Sequence, residues 1–233
     1  VATLVLLPGM DGTGKLFADF AAALPGSFVT VTVTYPPDRL LSYAELVELV
    51  RAACPAAEPF VLVAESFSTP LAIQYAATNP ANLKGVVLVA GFASGPVRGW
   101  RRFLVRLLAP ILFRMPPPDF AVRRWLVGRG ASATLVAAVG AAVSSVRPKV
   151  MAERLRMVLS CDVQAEFGRV RVPVWCVQPR QDGVVSFLRG EELRRMNPAM
   201  EVAVIDGPHL LLQREPEKAA ELVAEFGERV GAG

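Results

Sequence analysis

The chain has 233 residues, 53% apolar and 20% charged, with a net charge of +4. This length suits one large α/β domain, and the apolar content excludes a disordered chain. The longest uncharged apolar stretches, such as residues 131–143, fall short of the roughly 18 residues a membrane span needs.

The first strand is predicted over residues 2–7 and runs into the glycine-rich loop Pro8–Lys15. No basic stretch followed by an apolar one opens the chain, so a cytoplasmic protein is expected. Helical spacing follows over residues 16–24, then a strand over 28–34. Ser42 three residues before Glu45 reads as a capping box for a helix over 42–53. A strand over 60–64 leads through Glu65 to Ser66 and a helix over 66–78, and the next strand is 85–90. The alternation then breaks. Residues 94–168 hold no good strand, and Pro110, Pro116–Pro118 and Pro148 divide them into about four short helices. Strand 173–177, helix 184–196, strand 201–205 and helix 215–230 complete the chain.

Most of the strands are near-continuous Val, Leu and Ile runs, as in a parallel sheet buried on both faces. The fold class expected is therefore α/β, a doubly wound, mainly parallel sheet of about six strands. Residues 1–93 and 169–233 would form the core. Residues 94–168 would be a helical cap, leaving from the carboxyl end of a strand where ligands bind such sheets. Residues 94–160 hold eleven Arg and Lys149 against Asp119 and Glu153, a balance of +10, while the rest of the chain carries −6. Cys54, Cys161 and Cys176 form no disulfide framework and no CxxC pair. The only histidine is His209, so no metal site and no cofactor are expected. Chemistry that needs an imidazole must use His209.

Three places could carry chemistry. Ala64-Glu65-Ser66-Phe67-Ser68 takes a buried strand straight into a helix with a serine at the turn, the geometry of a nucleophile elbow. The elbow pattern is normally G-x-S-x-G, and small Ala64 and Ser68 replace its glycines. A serine capping an ordinary helix is the plain alternative. Pro8-Gly9-Met10 opens a loop whose backbone N–H after Gly9 could face a developing negative charge. Gly9, Gly14 and Lys15 also match a phosphate-binding loop, but Leu16 stands where that pattern needs Ser or Thr. Asp182 and His209 each follow a predicted strand and lie 27 positions apart, one helix plus one strand. Adjacent parallel strands would set them side by side, although Asp182 could also simply cap a helix. Asp162 and Asp206 are the weaker acids, and Ser68 the weaker nucleophile.

The order Ser66, Asp182, His209, together with the loop Pro8-Gly9-Met10, resembles the α/β-hydrolase serine esterases along nearly the whole chain. It is most similar to small carboxylesterases with a helical cap, including the pimeloyl-carrier methyl ester esterases. The resemblance implies cleavage of carboxylic esters through an acyl-enzyme on Ser66, with His209 as general base and Asp182 orienting it. It also implies an oxyanion hole from the N–H groups of Met10 and Phe67. Thioesterase or acyltransferase action on the same triad, a non-catalytic binding member, and a nucleotide phosphotransferase using Gly9–Lys15 are the alternatives. The expected substrate is a small ester with an apolar acyl group; Trp100, Phe103, Met115 and Trp125 are the candidates to contact it, with ordinary packing the equal alternative for them. Arg98, Arg101, Arg102 and Arg106 are expected to form a solvated basic face over an apolar groove. Such a segment could also dock an acyl-carrier protein or a membrane surface. Nucleic acid has no motif behind it.

Overall fold

The computed structural model describes residues 2–97 and 99–231. Six parallel strands form one sheet in the order β2-β1-β3-β4-β5-β6. They are β1 (Ala2–Leu7), β2 (Phe28–Thr32), β3 (Phe60–Glu65), β4 (Leu83–Val89), β5 (Val174–Pro179) and β6 (Glu201–Ile205). The reason the inner strands lack alternation is visible in their packing. Val5, Leu62 and Leu88 point to one face, Leu6, Val63 and Val87 to the other, and helices bury both faces. Edge strands β2 and β6 have one open flank and are correspondingly only partly buried.

On one face lie α2 (Tyr43–Ala53), α3 (Thr69–Ala76) and α9 (Arg189–Met196). On the other lie α1 (Ala18–Ala23), α10 (Leu211–Arg214) and α11 (Pro216–Arg229). The Ser42–Glu45 capping box forms as expected, with Ser42 N–H donating to Glu45 Oε2 at 2.8 Å and Ser42 Oγ accepting from Glu45 N–H at 3.3 Å. The helix expected over residues 184–196 begins only at Arg189. The N–H groups of Val184 and Val185 donate instead to Asp182 Oδ1 at 2.7 and 2.8 Å, holding the chain in a side-chain-closed turn. The final helix divides at Glu215, which sits at φ −132° because Pro216 disfavours a helical residue before it.

Between β4 and β5 the chain makes a helical excursion. It contains α4 (Trp100–Leu112), the single turn α5 (Asp119–Ala121), a π-helical turn (Val122–Val127), α6 (Ala133–Ser144), α7 (Pro148–Ser160) and α8 (Gln164–Phe167). Its base is closed by a Ser94–Asp162 bridge and by Val163 N–H donating to the Ala93 carbonyl at 2.8 Å. The outer face of α4 departs from expectation. Phe103, Leu107 and Ile111 are 68%, 61% and 62% exposed, so the apolar stripe is turned outward, while Ala109 is the side that packs inward.

Candidate active site

β3 ends at Glu65, and Ser66 opens a tight 3₁₀ turn, Ser66–Ser68, that leads into α3. Ser66 has φ +48°, a left-handed conformation that strains a residue with a β-carbon. An ordinary helix cap would be extended at this point, so the turn is an elbow. Ala64 and Ser68 are fully buried. Ser68 does more than stay small. Its hydroxyl donates to the Pro8 carbonyl and lies 2.6 Å from the Tyr35 hydroxyl, tying the elbow to the loop after β1. Phe67 is stacked on Tyr43 and edge-on to Tyr35, which fixes the residue after the serine. Burial pushes the Tyr35 and Tyr43 phenols up, so both stay neutral.

β5 and β6 are neighbours, and each delivers one polar side chain just past its carboxyl end. His209 Nδ1 lies 2.7 Å from Asp182 Oδ2, and His209 Nε2 lies 2.9 Å from Ser66 Oγ. Both the Asp182 carboxylate and the imidazole are buried. A carboxylate only accepts, so Nδ1 carries the proton and the Nε2 lone pair faces the serine hydroxyl. Asp182 Oδ1 is held by the two N–H groups of Val184 and Val185. The helix-cap and imidazole-partner readings of Asp182 are thus both satisfied, one by each oxygen. Gly207 packs closely beside the imidazole, and a Cβ there would stand 2.5 Å from Leu211 Cδ1, so that side chain would have to shift.

The remaining sequence candidates separate clearly. Asp206 is exposed and paired with Arg180 Nε at 2.9 Å. Asp162 bonds Gln164 at the base of the excursion. Neither bonds the imidazole. Lys15 is exposed, and the glycine-rich loop closes on its own Asp11, whose Oδ2 accepts from Thr13 N–H at 2.9 Å and from the Thr13 hydroxyl. A buried carboxylate in that cradle repels a phosphate. Among the described residues Met10 N–H finds no acceptor. Phe67 N–H lies in the first turn of its helix, where no intrahelical acceptor exists. Both N–H groups are therefore left free of partners among the described residues. Phe103 and Met115 are exposed, and Trp125 is half-exposed against Gly183, next to Asp182. The side chains of Trp100, Arg101, Arg102 and Arg106, and the whole of Arg98, lie outside the description.

Several residues were not foreseen. Arg154 of α7 is buried and donates to the carbonyls of Met10 and Asp11 at 2.9 and 2.8 Å, and to that of Pro36 at 3.0 Å. It also stacks on the Tyr35 ring. Glu65 is buried behind the serine, with Oε2 accepting from Gln213 Nε2 at 3.2 Å and Oε1 without a partner among the described residues. Burial raises its carboxyl to about 7. The one sequence signal for Glu65 is a charge closing an otherwise apolar strand. Arg154 leaves no local signal, because its partners are carbonyls far away in the chain.

A doubly wound sheet with serine, histidine and acid at the carboxyl ends of β3, β6 and β5 defines the α/β-hydrolase class of fold. The sequence matches the model of the alpha/beta hydrolase family over residues 4–224, and the chain belongs to that family. Many solved structures share the fold, among them three at low identity. A hydrolase from Oleispira antarctica superposes with a TM-score of 0.84 at 12% identity, over 98% of this chain and 91% of its own. A bromoperoxidase from Bacillus anthracis gives 0.84 at 14%, over 97% and 92%. A thermophilic esterase from Thermogutta terrifontis gives 0.81 at 16%, over 99% and 90%. No curated protein matches the sequence.

Proposed function

We propose that the chain is a serine hydrolase of carboxylic esters. The observation that carries this reading is the continuous chain of contacts from Ser66 Oγ through His209 to Asp182, at 2.9 and 2.7 Å. An alcohol is a poor nucleophile at neutral pH, so the hydroxyl needs a base at its proton. His209 Nε2 is placed to take that proton as Ser66 Oγ attacks the ester carbonyl, and Asp182 stabilises the imidazolium that forms. The oxyanion is received by the N–H groups of Met10 and Phe67, one donor of this kind contributing about 3 kcal/mol to the transition state. His209 then returns the proton to the leaving alcohol, and water resolves the acyl-enzyme by the same route in reverse. Residues 94–168 act as the cap over this site.

Hydrolysis of p-nitrophenyl esters from acetate to decanoate by the wild type and by Ser66→Ala tests the reading. Wild-type turnover should fall by roughly six decades in the variant, with an unchanged circular dichroism spectrum. A fluorophosphonate should add mass to Ser66 in the wild type alone. A Ser66→Ala protein that keeps its activity would overturn the assignment.

A further inference from the structure

The excursion carries an apolar surface for which the hydrolytic centre has no use. Nine of the fourteen exposed large apolar side chains among the described residues lie within residues 103–125. Six of them, Phe103, Leu104, Leu107, Leu108, Ile111 and Leu112, recur at three- and four-residue spacing and form one stripe along α4. Met115, Phe120 and Trp125 follow in the next turns. Isolated exposed leucines are ordinary, but a helix that turns its whole apolar stripe to water marks an interaction surface.

Charge selects the partner. Residues 94–118 contain five arginines and no acid. A cleft of about 470 Å³ opens beside the Gly207-Pro208 turn that precedes His209; Arg123, Arg124, Arg129 and Arg214 line it against Asp206 and Glu215, and Glu215 pairs with Arg214 at 3.6 Å, so arginine stands in excess there. Arg123 and Arg124 immediately precede the half-exposed Trp125 in the π-helical turn, so this cleft lies beside one of the exposed apolar side chains. A second copy of the chain would bring positive charge against positive charge. An acidic protein would satisfy the arginines and leave most of the leucine stripe without an apolar phase. An anionic phospholipid bilayer satisfies both, since its headgroups meet the arginines and its acyl boundary takes the stripe. We infer that the outer face of α4, with the turns that follow it, docks this protein onto anionic phospholipid bilayers, the helix lying in the plane of the interface.

The inference is independent of the hydrolytic reading and can be tested on inactive protein. The Ser66→Ala chain is sedimented with vesicles of phosphatidylcholine alone and with vesicles containing 30% phosphatidylglycerol. Binding to the anionic vesicles is expected to exceed binding to the neutral ones at least about tenfold and to weaken as NaCl is raised to about 0.5 M. A Leu107→Glu/Ile111→Glu variant changes two exposed positions, so it should fold normally and lose at least about tenfold in vesicle binding. Three results would overturn the inference. The first is no sedimentation with either vesicle. The second is vesicle binding that the double variant leaves unchanged, which would make the contact purely electrostatic. The third is a concentration-dependent dimer on gel filtration that the double variant abolishes while vesicles are ignored. Failure of p-nitrophenyl ester hydrolysis in the wild type would touch only the proposed function.

Discussion

Glu65 is the residue whose placement most needs a physical account, because a buried carboxyl directly behind Ser66 is costly. It faces Asp11 from the loop after β1, His209 and Gln213 from the C-terminal segment, and Asp182 from the loop after β5. Burial is the largest influence on it and favours the neutral acid. Its carboxyl titrates near 4.5 in an open chain and at about 7 in the fold. Between those values the folded chain keeps a proton that the unfolded chain has released. The contribution to stability is therefore fullest below about 4.5, is lost as pH rises to about 7, and is constant above that, with a span of about 3 kcal/mol. Glu65→Gln keeps the shape without the charge. Its unfolding free energy should match the wild type near pH 4.5 and exceed it at pH 8 by up to about 3 kcal/mol. Urea titrations at the two pH values read this directly, and a constant difference between the proteins would rule the explanation out.

Among the elements, α7 has a role that its amphipathic pattern conceals. Its Arg154 reaches out of the excursion and grips three carbonyls of the core, two of them on the loop that carries Met10 N–H. Charged donors to buried carbonyls are each stronger than neutral ones, and removing them leaves the carbonyls without partners. Arg154→Met should cost about 2–4 kcal/mol of stability. In the ester assay it should lower kcat more than it raises KM, because the loop that presents Met10 loses its anchor. Arg154→Lys should restore little of the effect, since an ammonium cannot span three carbonyls as a planar guanidinium does. A KM effect alone would place Arg154 in substrate binding instead.

The same contrast explains what the sequence could and could not reveal. The strands were legible because burial on both faces leaves unbroken apolar runs. Ser66, Asp182 and His209 were legible because each directly follows such a run, at the end of the sheet where side chains converge. Residues 184–188 resembled a helix because their apolar spacing is helical, while the Asp182 carboxylate takes the N–H groups that a helix would need. The stripe on α4 was legible as a stripe, but periodicity does not say which side of a helix faces the protein. Arg154, Tyr35 and Gln213 were invisible because their partners lie far off in sequence.

At the scale of the whole molecule, charge and connectivity are arranged differently. The basic excursion is continuous in sequence, with +10 over residues 94–160. The sheet it interrupts is assembled from both sides of it. β4 and β5 pair directly, Val86 with Val174 through Val89 with Val177, so the N-terminal and C-terminal parts of the chain are joined by backbone hydrogen bonds and two shared apolar cores. The excursion returns to this core through the Ser94–Asp162 bridge at its two ends, through Leu210 N–H donating to the Leu126 carbonyl at 2.9 Å, and through Arg154. Exposed arginines such as Arg114, Arg124 and Arg129 stand in the earlier part, within or beside short helices and turns. Backbone there opens at lower free energy than the paired strands of the sheet. Brief trypsin treatment should therefore cut first within residues 98–130. It should give two fragments on a denaturing gel, of roughly equal size because the cuts fall near the middle of the chain. On gel filtration under native conditions the fragments should still elute together as one particle, held by the β4–β5 pairing. Fragments that separate without denaturant would mean that the peptide connection through the excursion, rather than the sheet, holds the two halves of the core together.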